Sequence, residues 1–232
     1  MKFRLSALLA IAFIWGLSAC KKNDDAPKVV PQVETLFVNA SAEPVNVYRN
    51  GSRLNTTATI DTATYTKYYL VPQGQQSYQV KKPFDIATNS IQTLFSITVP
   101  ADDYYYHSLF ITDENVNDAF PIIDKLDTTS KTDTCFIRFV NSSPGSGGLD
   151  FAYGNTTQFK DIPFKKAGDF TFVNTATGAS ASLLIALKVF NTGTSTVLAT
   201  DSVQLSSGSS YTFYTVGKPG TTGFGIRMIQ NL

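Results

Sequence analysis

The sequence has few of the residues on which most enzyme sites depend. Its 232 residues include one histidine, two cysteines and one tryptophan. The single histidine, His107, cannot supply the several imidazoles of the usual catalytic zinc site, and any Ser-His-Asp triad would have to be built around it. The His-Glu-x-x-His, Gly-x-Ser-x-Gly and phosphate-loop motifs are also missing. We therefore predict a protein that is not an enzyme and that uses no cofactor or metal.

A strong excess of charge of one sign is missing as well. The 19 basic and 18 acidic residues nearly cancel, so the chain has no general electrostatic attraction for nucleic acid, and we predict no nucleic-acid partner. A hydrophobic content of 43% with 16% charged residues is typical of a folded globular protein.

The N-terminus has the pattern of an export signal. Lys2 and Arg4 precede an apolar stretch at residues 5–17, which is shorter than the roughly 20 residues that a membrane span needs. The following Leu17-Ser18-Ala19-Cys20 resembles a bacterial lipobox. We therefore predict a signal peptide at residues 1–19 and lipidation of Cys20 by diacylglycerol and an N-acyl group such as palmitate. An ordinary secretory signal with a chance cysteine is the alternative.

Residues 20–33 are predicted to be a flexible tether from this lipid to the folded part. Asp24 and Asp25 resemble the acidic export signals of surface lipoproteins in Bacteroidota, although Lys21 and Lys22 intervene. Two or more acyl chains give stable anchorage. We expect an outer-membrane lipoprotein, on either the cell surface or the periplasmic face.

The second cysteine, Cys135, has no disulfide partner if Cys20 is acylated. It alternates with Ile137 and Phe139 and therefore shares one strand face with them. We expect a buried core thiol.

Short apolar segments separated by turn residues recur about every ten residues from Thr35 onward, which favours an antiparallel β-sandwich or barrel. Asn50-Gly51 is the strongest hairpin signal. The segment at residues 179–190 fits a buried strand as well as a helix, and we interpret it as a strand.

The chain contains an internal repeat. Phe37–Ser41 matches Phe139–Ser143 at an offset of 102, and Asn50-Gly51 corresponds to Gly154-Asn155. A third pair of segments aligns Tyr105 with Tyr211, which places His107 opposite Phe213 as a half-buried or surface residue. We predict a β-sandwich domain at 34–124, a linker at 125–133 and a second domain at 134–232.

Two stretches carry a resemblance to a known family. They are "FVNASAEPVNVYRNG" from Phe37 and "RFVNSSPGSGGLDFAYGN" from Arg138. They resemble the opening motif of the DUF4397 family, which is common in bacterial secreted proteins and lipoproteins, and "SSGSSYTFYTVG" from Ser206 resembles its second motif. The resemblance implies two tandem immunoglobulin-like or transthyretin-like antiparallel β-sandwiches. It transfers no catalytic residues.

Tyrosines are concentrated in the first repeat, and exposed tyrosine suits contact with sugars or proteins. The candidate binding residues are Tyr65, Tyr69, Tyr78, Tyr104 and Tyr106. Stabilisation of the sheets by cross-strand tyrosine pairs is the alternative.

Three short sequences resemble the O-glycosylation sequon of exported Bacteroidota proteins, and their acceptors would be Thr62, Thr128 and Ser202. Asp113, Asn115, Asn117 and Asp124 have part of the spacing of a calcium-binding loop, but the glycine and the bidentate glutamate are missing, so we favour an ordinary polar loop.

These patterns predict a non-catalytic, lipid-anchored envelope protein that presents a β-sandwich surface to glycan or protein partners. The alternatives are a glycan-processing accessory or hydrolase with an unrecognised site, and a surface filament subunit. The oligomeric state is left open.

Overall fold

The computed structural model describes residues 29–101, 106–126, 133–175 and 182–231. The predicted signal peptide and Cys20 lie outside these ranges. Within them the chain is all-β apart from one 3-10 turn at Val116–Asp118, as predicted. None of the described segments forms a helix with the length and apolar character needed to cross a bilayer.

The first repeat contains nine strands in the described residues: β1 (Gln32–Asn39), β2 (Asn46–Arg49), β3 (Ser52–Arg53), β4 (Thr64–Tyr65), β5 (Tyr69–Pro72), β6 (Gly74–Lys81), β7 (Thr93–Ala101), β8 (Tyr106–Ile111) and β9 (Ala119–Asp124).

The second repeat contains nine strands in the same order: β10 (Thr134–Asn141), β11 (Leu149–Tyr153), β12 (Thr156–Ile162), β13 (Lys166–Ala167), β14 (Thr171–Asn174), β15 (Ser182–Asn191), β16 (Val197–Ser206), β17 (Ser210–Val216) and β18 (Gly225–Gln230). The strand at β15 confirms the strand interpretation of that segment.

Each repeat has two sheets. In the first repeat, one edge of β1 pairs with β8, and the other edge pairs with β4 and with β5 at different positions along the strand; β9 lies beyond β8. The other sheet has the order β3-β2-β6-β7. The second repeat has the corresponding sheets built from β10–β18. The predicted β-sandwich is confirmed with one difference: β1 and β8, like β10 and β17, are parallel. Parallel pairing is possible here because the chain passes through the other sheet before it returns.

Each sandwich has its own apolar core. The first core includes Phe37 and Val47 from its two sheets, and the second includes Phe139 and Phe151 at the equivalent positions. Phe139 and Phe151 stack with ring centroids 4.8 Å apart.

A third apolar cluster lies between the two sandwiches, and we call this contact the seam. Val38 and Phe110 contribute to it from the first repeat, and Val140 and Tyr214 from the second. The central strands are therefore buried on both faces, and Gln32–Leu232 form one compact unit of four sheet layers.

The strand directions define two ends of this unit. β1 is parallel to β8 and β10 is parallel to β17, and residues that follow all four strands line one cavity, so the four strands finish at the same end of the unit. Gln32 and Asn231 therefore lie at the opposite end, which we call the terminal end. The loops that follow these four strands lie at the other end, which we call the loop end. The hairpin at 82–92 lies there too, since it follows β6, which rises from the terminal end.

Two local predictions can be compared with the structure. Asn50 and Gly51 have φ values of 50° and 78°, as expected for a hairpin turn in which both central residues are left-handed. The alignment of His107 with Phe213 is wrong, because strand register places His107 beside Thr35 and Tyr211 beside the equivalent Ile137. His107 is also only 5% exposed, so its predicted half-buried or surface position is wrong.

Candidate functional site

The candidate tyrosines do not form one surface. Tyr78 is 1% exposed, and its ring meets Phe37 edge-on at 5.1 Å in the first core, so its predicted role in binding is wrong. Burial raises its pKa. Tyr65 and Tyr69 line a shallow depression of about 240 Å³. Tyr106 lies elsewhere, against Tyr68.

Tyr104 lies outside the described residues. Of the candidate tyrosines that the structure describes, only Tyr65 and Tyr69 share a depression, and Tyr65 is 41% exposed. Packing of tyrosines against other rings therefore accounts for Tyr78 and Tyr106.

The asparagine of the first shared motif, Asn39, stabilises the loop after β1. The Asn39 side chain is fully buried and donates to the backbone carbonyls of Glu43 and Ile60, each at 2.9 Å. Its Oδ1 accepts from the Ser41 backbone N–H at 3.1 Å and from the Ser41 hydroxyl at 2.6 Å. One amide thus closes the loop after β1.

Asn141 does the same in the second repeat. It donates to the carbonyls of Gly147 and Ile162 at 3.0 Å and accepts from the Ser143 N–H and the Ser146 hydroxyl. Because buried backbone groups need hydrogen-bond partners, an asparagine that bonds several of them at once stabilises the loop. The motif is a structural device at both positions.

A charged pair is buried where the sandwiches meet. Arg138 on β10 forms a salt bridge through Nη2 with Oδ1 of Asp124 at the end of β9, and their side chains are 3% and 0% exposed. Oδ2 of Asp124 accepts from the Ser108 hydroxyl at 2.6 Å. The aspartate was predicted to lie at the border of a polar linker, but it belongs to the interior of the seam.

Further hydrogen bonds close a ring through both repeats. Arg138 donates through Nε to the Thr212 hydroxyl at 2.9 Å, and Thr212 donates to Oδ1 of Asn231 at 2.7 Å. The Asn231 amide donates to the Tyr68 hydroxyl at 3.1 Å, and Tyr68 donates to Asp124 at 3.3 Å. Burial, reinforced by the Asp124 carboxylate, raises the pKa of Tyr68.

The four residues with partial calcium-loop spacing do not converge. Asn115 accepts from the Asn117 backbone N–H at 3.0 Å and caps the 3-10 turn at the loop end. Asp124 lies at the other end of β9 and is occupied by Arg138. No group of three or more potential metal ligands occurs in the residues that the structure describes.

The main cavity of interest lies at the loop end of the seam, and we call it the seam cleft. Its volume is about 550 Å³, within the usual range for ligand sites. It is lined from the first repeat by Ala40, Ser41, Ala42, Thr62, Ala63, Thr112 and Asp113, and from the second by Pro144, Val216, Gly217, Lys218, Thr221, Gly223 and Arg227. Neither repeat forms it alone.

The loop at 217–223 makes one wall of the seam cleft. Gly217 has φ +70°, and a Cβ there would lie 2.5 Å from the Gly223 carbonyl oxygen, so both the backbone conformation and the space require glycine. The Thr221 hydroxyl and N–H donate to the Lys218 carbonyl at 2.8 and 3.1 Å. These contacts fix the backbone from which Lys218 projects.

The charges at the seam cleft are two cations and one anion. Lys218 lies 3.7 Å from Asp113, and both side chains are largely exposed, so this pair is weak. Arg227 is exposed, and its guanidinium Nη1 donates to the carbonyl of Ile226. The cleft therefore carries a net positive charge. Sequence patterns gave no signal for these cations, because the loops meet only in the folded chain.

An apolar hairpin stands beside the seam cleft at the same end. Phe84, Ile86 and Ile91 are 53%, 87% and 47% exposed. Asp85 fixes the tip by accepting from the Ala87 N–H and the Thr88 hydroxyl, and these bonds lower the pKa of its carboxyl.

This hairpin is connected to the rest of the loop end. The Lys82 ammonium lies 2.6 Å from the Glu114 carboxylate in the loop after β8. Glu43 and Pro44 line the groove beside the hairpin, while the adjoining Ser41 and Ala42 line the seam cleft. The hairpin, the loop after β1 and the seam cleft therefore form a continuous surface, which we call the loop-end surface.

Two residues with reactive side chains belong to the interior. Cys135 is fully buried with Ile137 and Phe139 in the second core, as predicted, and burial raises the pKa of its thiol to about 11. His107 lies on the core-facing side of β8 with Leu109. Neither is placed to meet a substrate at the surface.

Two of the proposed glycosylation acceptors are exposed. Thr62 lines the seam cleft, and Ser202 lies on β16. Thr128 lies outside the described residues.

Comparison with solved structures gives distant matches. One is a "putative cell adhesion protein" from Bacteroides uniformis ATCC 8492, at 8% identity and a TM-score of 0.23, covering 86% of this chain and 96% of that one. Another, with the same description, is from Bacteroides fragilis NCTC 9343, at 11% identity and a TM-score of 0.21, covering 87% and 97%. No curated protein matches the chain.

The family comparison is direct. The model of a domain of unknown function, DUF4397, matches residues 34–151 and again residues 135–231, which together include both asparagine motifs and nearly all of the sandwich pair. The resemblance in the sequence motifs is thereby confirmed, and the chain belongs to the DUF4397 family.

Proposed function

We propose that this protein is a non-catalytic, lipid-anchored protein of the outer membrane that presents its loop-end surface to a partner. The observation that carries the proposal is the opposition of the two ends. The chain enters the unit at Gln32, twelve residues after the predicted lipid site, while the hairpin and the seam cleft lie at the far end of the strands.

The loop-end surface has the composition of a contact site. Contiguous exposed apolar side chains beside a polar cleft are typical of surfaces that bind another molecule. Phe84 and Ile86 supply the apolar part, and Asp85 holds the tip in place so that little ordering is needed on binding. A protein partner fits this combination better than a glycan, because Phe84 is the one aromatic among the residues that line the groove and the seam cleft.

The absence of catalysis is part of the proposal. The burial of His107 and Cys135 supports it, because these are the side chains from which nucleophilic or acid–base chemistry would first be expected. A hydrolase panel run on the purified chain tests this part. Turnover that is abolished by one carboxylate substitution would refute it.

Anchorage is tested in cells that express the chain. Metabolic labelling with an alkyne fatty acid should mark the protein, and Cys20→Ser should remove the label. Surface proteolysis of intact cells then decides between the cell surface and the periplasmic face. Labelling that survives Cys20→Ser would contradict the assigned anchor.

Partner contact is tested by site-specific cross-linking. A photoreactive amino acid at Ile86, on the loop end, should give discrete cross-linked products in intact cells. The matched control is the same residue at Asn155, an exposed turn position at the terminal end. Products from position 155 alone, or from neither position, would contradict the proposal.

A further inference from the structure

At the loop end, the seam is filled on one side and open on the other. On the filled side, Phe120 of β9 stacks on Phe110 at 5.3 Å and meets the edge of Phe164 from the second repeat at 6.2 Å. These rings close the contact between the first repeat's β9 and the second repeat's loop before β13. Large side chains therefore close the seam at this position, while nearer the terminal end the same side has a depression of about 470 Å³ lined by Ile122 and Phe170.

On the open side, the equivalent positions hold different residues. Strand register pairs Phe110 with Phe120 in the first repeat and Tyr214 with Arg227 in the second, so Arg227 stands where the other repeat has Phe120. Thr62 likewise occupies the position of Phe164. The carbonyls of Ile60 and Ile162 accept from the motif asparagines of the two repeats, and Thr62 and Phe164 each follow two residues later. The result is the seam cleft, of about 550 Å³.

The lining of the seam cleft favours a peptide over a sugar. Sugar sites usually present an aromatic face to the ring, and the lining residues include no aromatic side chain. Ala40, Ala42, Ala63 and Gly217 instead leave room for a polypeptide backbone to approach closely. Thr62 and Thr221 offer hydroxyl groups along the same walls.

The charge of the seam cleft selects an acidic peptide. Lys218 is loosely paired with Asp113, whereas among the described residues no carboxylate lies within salt-bridge distance of Arg227. A guanidinium binds a carboxylate through two parallel hydrogen bonds, which gives geometric selection as well as attraction.

We propose that the seam cleft binds an extended acidic peptide segment of a partner protein, with Arg227 receiving a carboxylate and Lys218 a neighbouring one. This inference rests on the proposed function and names the chemistry of the partner. The site exists only when both repeats are docked, since each contributes one side of the cleft.

The test uses fluorescence anisotropy of labelled peptides with the full chain in detergent. N-acetylated (Ala-Glu)4 amide should bind, and (Ala-Gln)4 and (Ala-Lys)4 amides should bind at least about tenfold more weakly. Binding should weaken as salt rises, because the cations are exposed. Equal binding of the acidic and neutral peptides, or binding of neither, would overturn the proposal.

Variants locate the site. Arg227→Ala should lower affinity at least about tenfold, while Lys160→Ala, which removes an exposed cation on β12 outside the cleft, should leave it unchanged. The double variant Thr62→Phe with Arg227→Phe copies the filled side. The unfolding midpoint of this double variant should equal or exceed that of the parent chain. Its binding of the acidic peptide should be abolished. Unaltered binding by this folded double variant would refute the assignment.

An acidic sugar is the competing ligand class. Polygalacturonate should not displace the (Ala-Glu)4 peptide, and displacement that disappears with Arg227→Ala would overturn the peptide assignment in favour of a sugar. Failure of this inference is distinguishable from failure of the proposed function. If peptides do not bind while position 86 still cross-links a partner in cells, the peptide inference alone fails.

Discussion

Asp124 and Asn231 occupy equivalent positions in the two repeats, and each accepts a hydrogen bond from the hydroxyl on the neighbouring strand, Ser108 or Thr212. The geometry is conserved between the repeats, but one group is a carboxylate and the other an amide. Arg138 explains the difference, because it lies beside Asp124 at a position where the first repeat has Leu36.

The same contrast holds across the seam. The motif asparagines correspond in both repeats, and so do Phe37 and Phe139 in the cores, whereas Phe120 and Arg227, which face the other repeat, differ in size and charge. Each sandwich thus needs the shared residues for its own fold, while the seam needs one acid, one base and one set of three aromatic rings in a single arrangement. Two identical repeats would place like groups against each other here.

The largest effect is expected from breaking the buried ion pair. Arg138→Ala leaves the Asp124 carboxylate buried without its cation and should lower the free energy of unfolding by about 3–5 kcal/mol. Urea denaturation monitored by tyrosine fluorescence measures this change in the free energy of unfolding.

A control distinguishes charge from size in that experiment. The double variant combines Arg138→Leu with Asp124→Asn. Each substitution introduces the residue that the other repeat has at the equivalent position, Leu36 or Asn231. The double variant should recover most of the stability, because an apolar replacement of a buried pair is often neutral. Equal losses in the single and double variants would contradict the account.

The next effect tests the filled side against the open side. Phe120→Ala removes contacts with Phe110 and Phe164 and should cost about 3–5 kcal/mol, whereas Arg227→Ala, at the equivalent exposed position, should change stability by less than about 0.5 kcal/mol. Chemical denaturation of both variants in parallel gives the comparison. Similar losses would show that the two sides are equally packed.

The motif asparagines should be equivalent in energy. Asn39→Ala and Asn141→Ala each remove a buried amide that bonds two backbone carbonyls and one backbone N–H, and should each lower the free energy of unfolding by about 1–3 kcal/mol. Thermal unfolding with tyrosine fluorescence detects the change. A neutral result at either position would mean that its loop finds other donors.

Among the buried positions, the smallest effect at neutral pH is expected at Cys135, whose equivalent in the first repeat is Val33. Cys135→Val copies that repeat and should change stability by less than about 1.5 kcal/mol at pH 7.

At alkaline pH the parent chain and this variant should separate. Burial raises the folded-state pKa of Cys135 to about 11, so the unfolded chain releases the proton first and the stability due to the neutral thiol is lost as pH rises from about 8.5 towards 11. Unfolding midpoints from pH 7 to 10.5 measure this loss. Parallel curves for parent and variant would exclude a contribution from the thiol.

Much of the fold follows from local sequence. Asn50-Gly51 needs two left-handed residues, and the alternation of Cys135, Ile137 and Phe139 requires one buried face, so both features are visible without a structure. The repeat is visible because both copies need the same loop-closing asparagine.

The candidate site could not be predicted in the same way. The pattern around Tyr78 is that of a strand, but the sequence does not say which face of the strand is buried. In the structure Tyr78 lies on the buried face. Arg227 and Thr62 are 165 positions apart, and only the docking of two sheets brings them to one cleft. Docking depends on side-chain size across the seam, which no local pattern encodes.

The parallel central strands have a mechanical consequence. A force applied at Gln32 and resisted at the loop end acts along β1. This strand is hydrogen-bonded to β8 on one edge and to β4 and β5 on the other. Such a load shears all of those bonds together instead of unzipping them singly. In the proposed arrangement, with a lipid anchor before Gln32 and a partner at the loop end, tension would load β1 in this shear geometry.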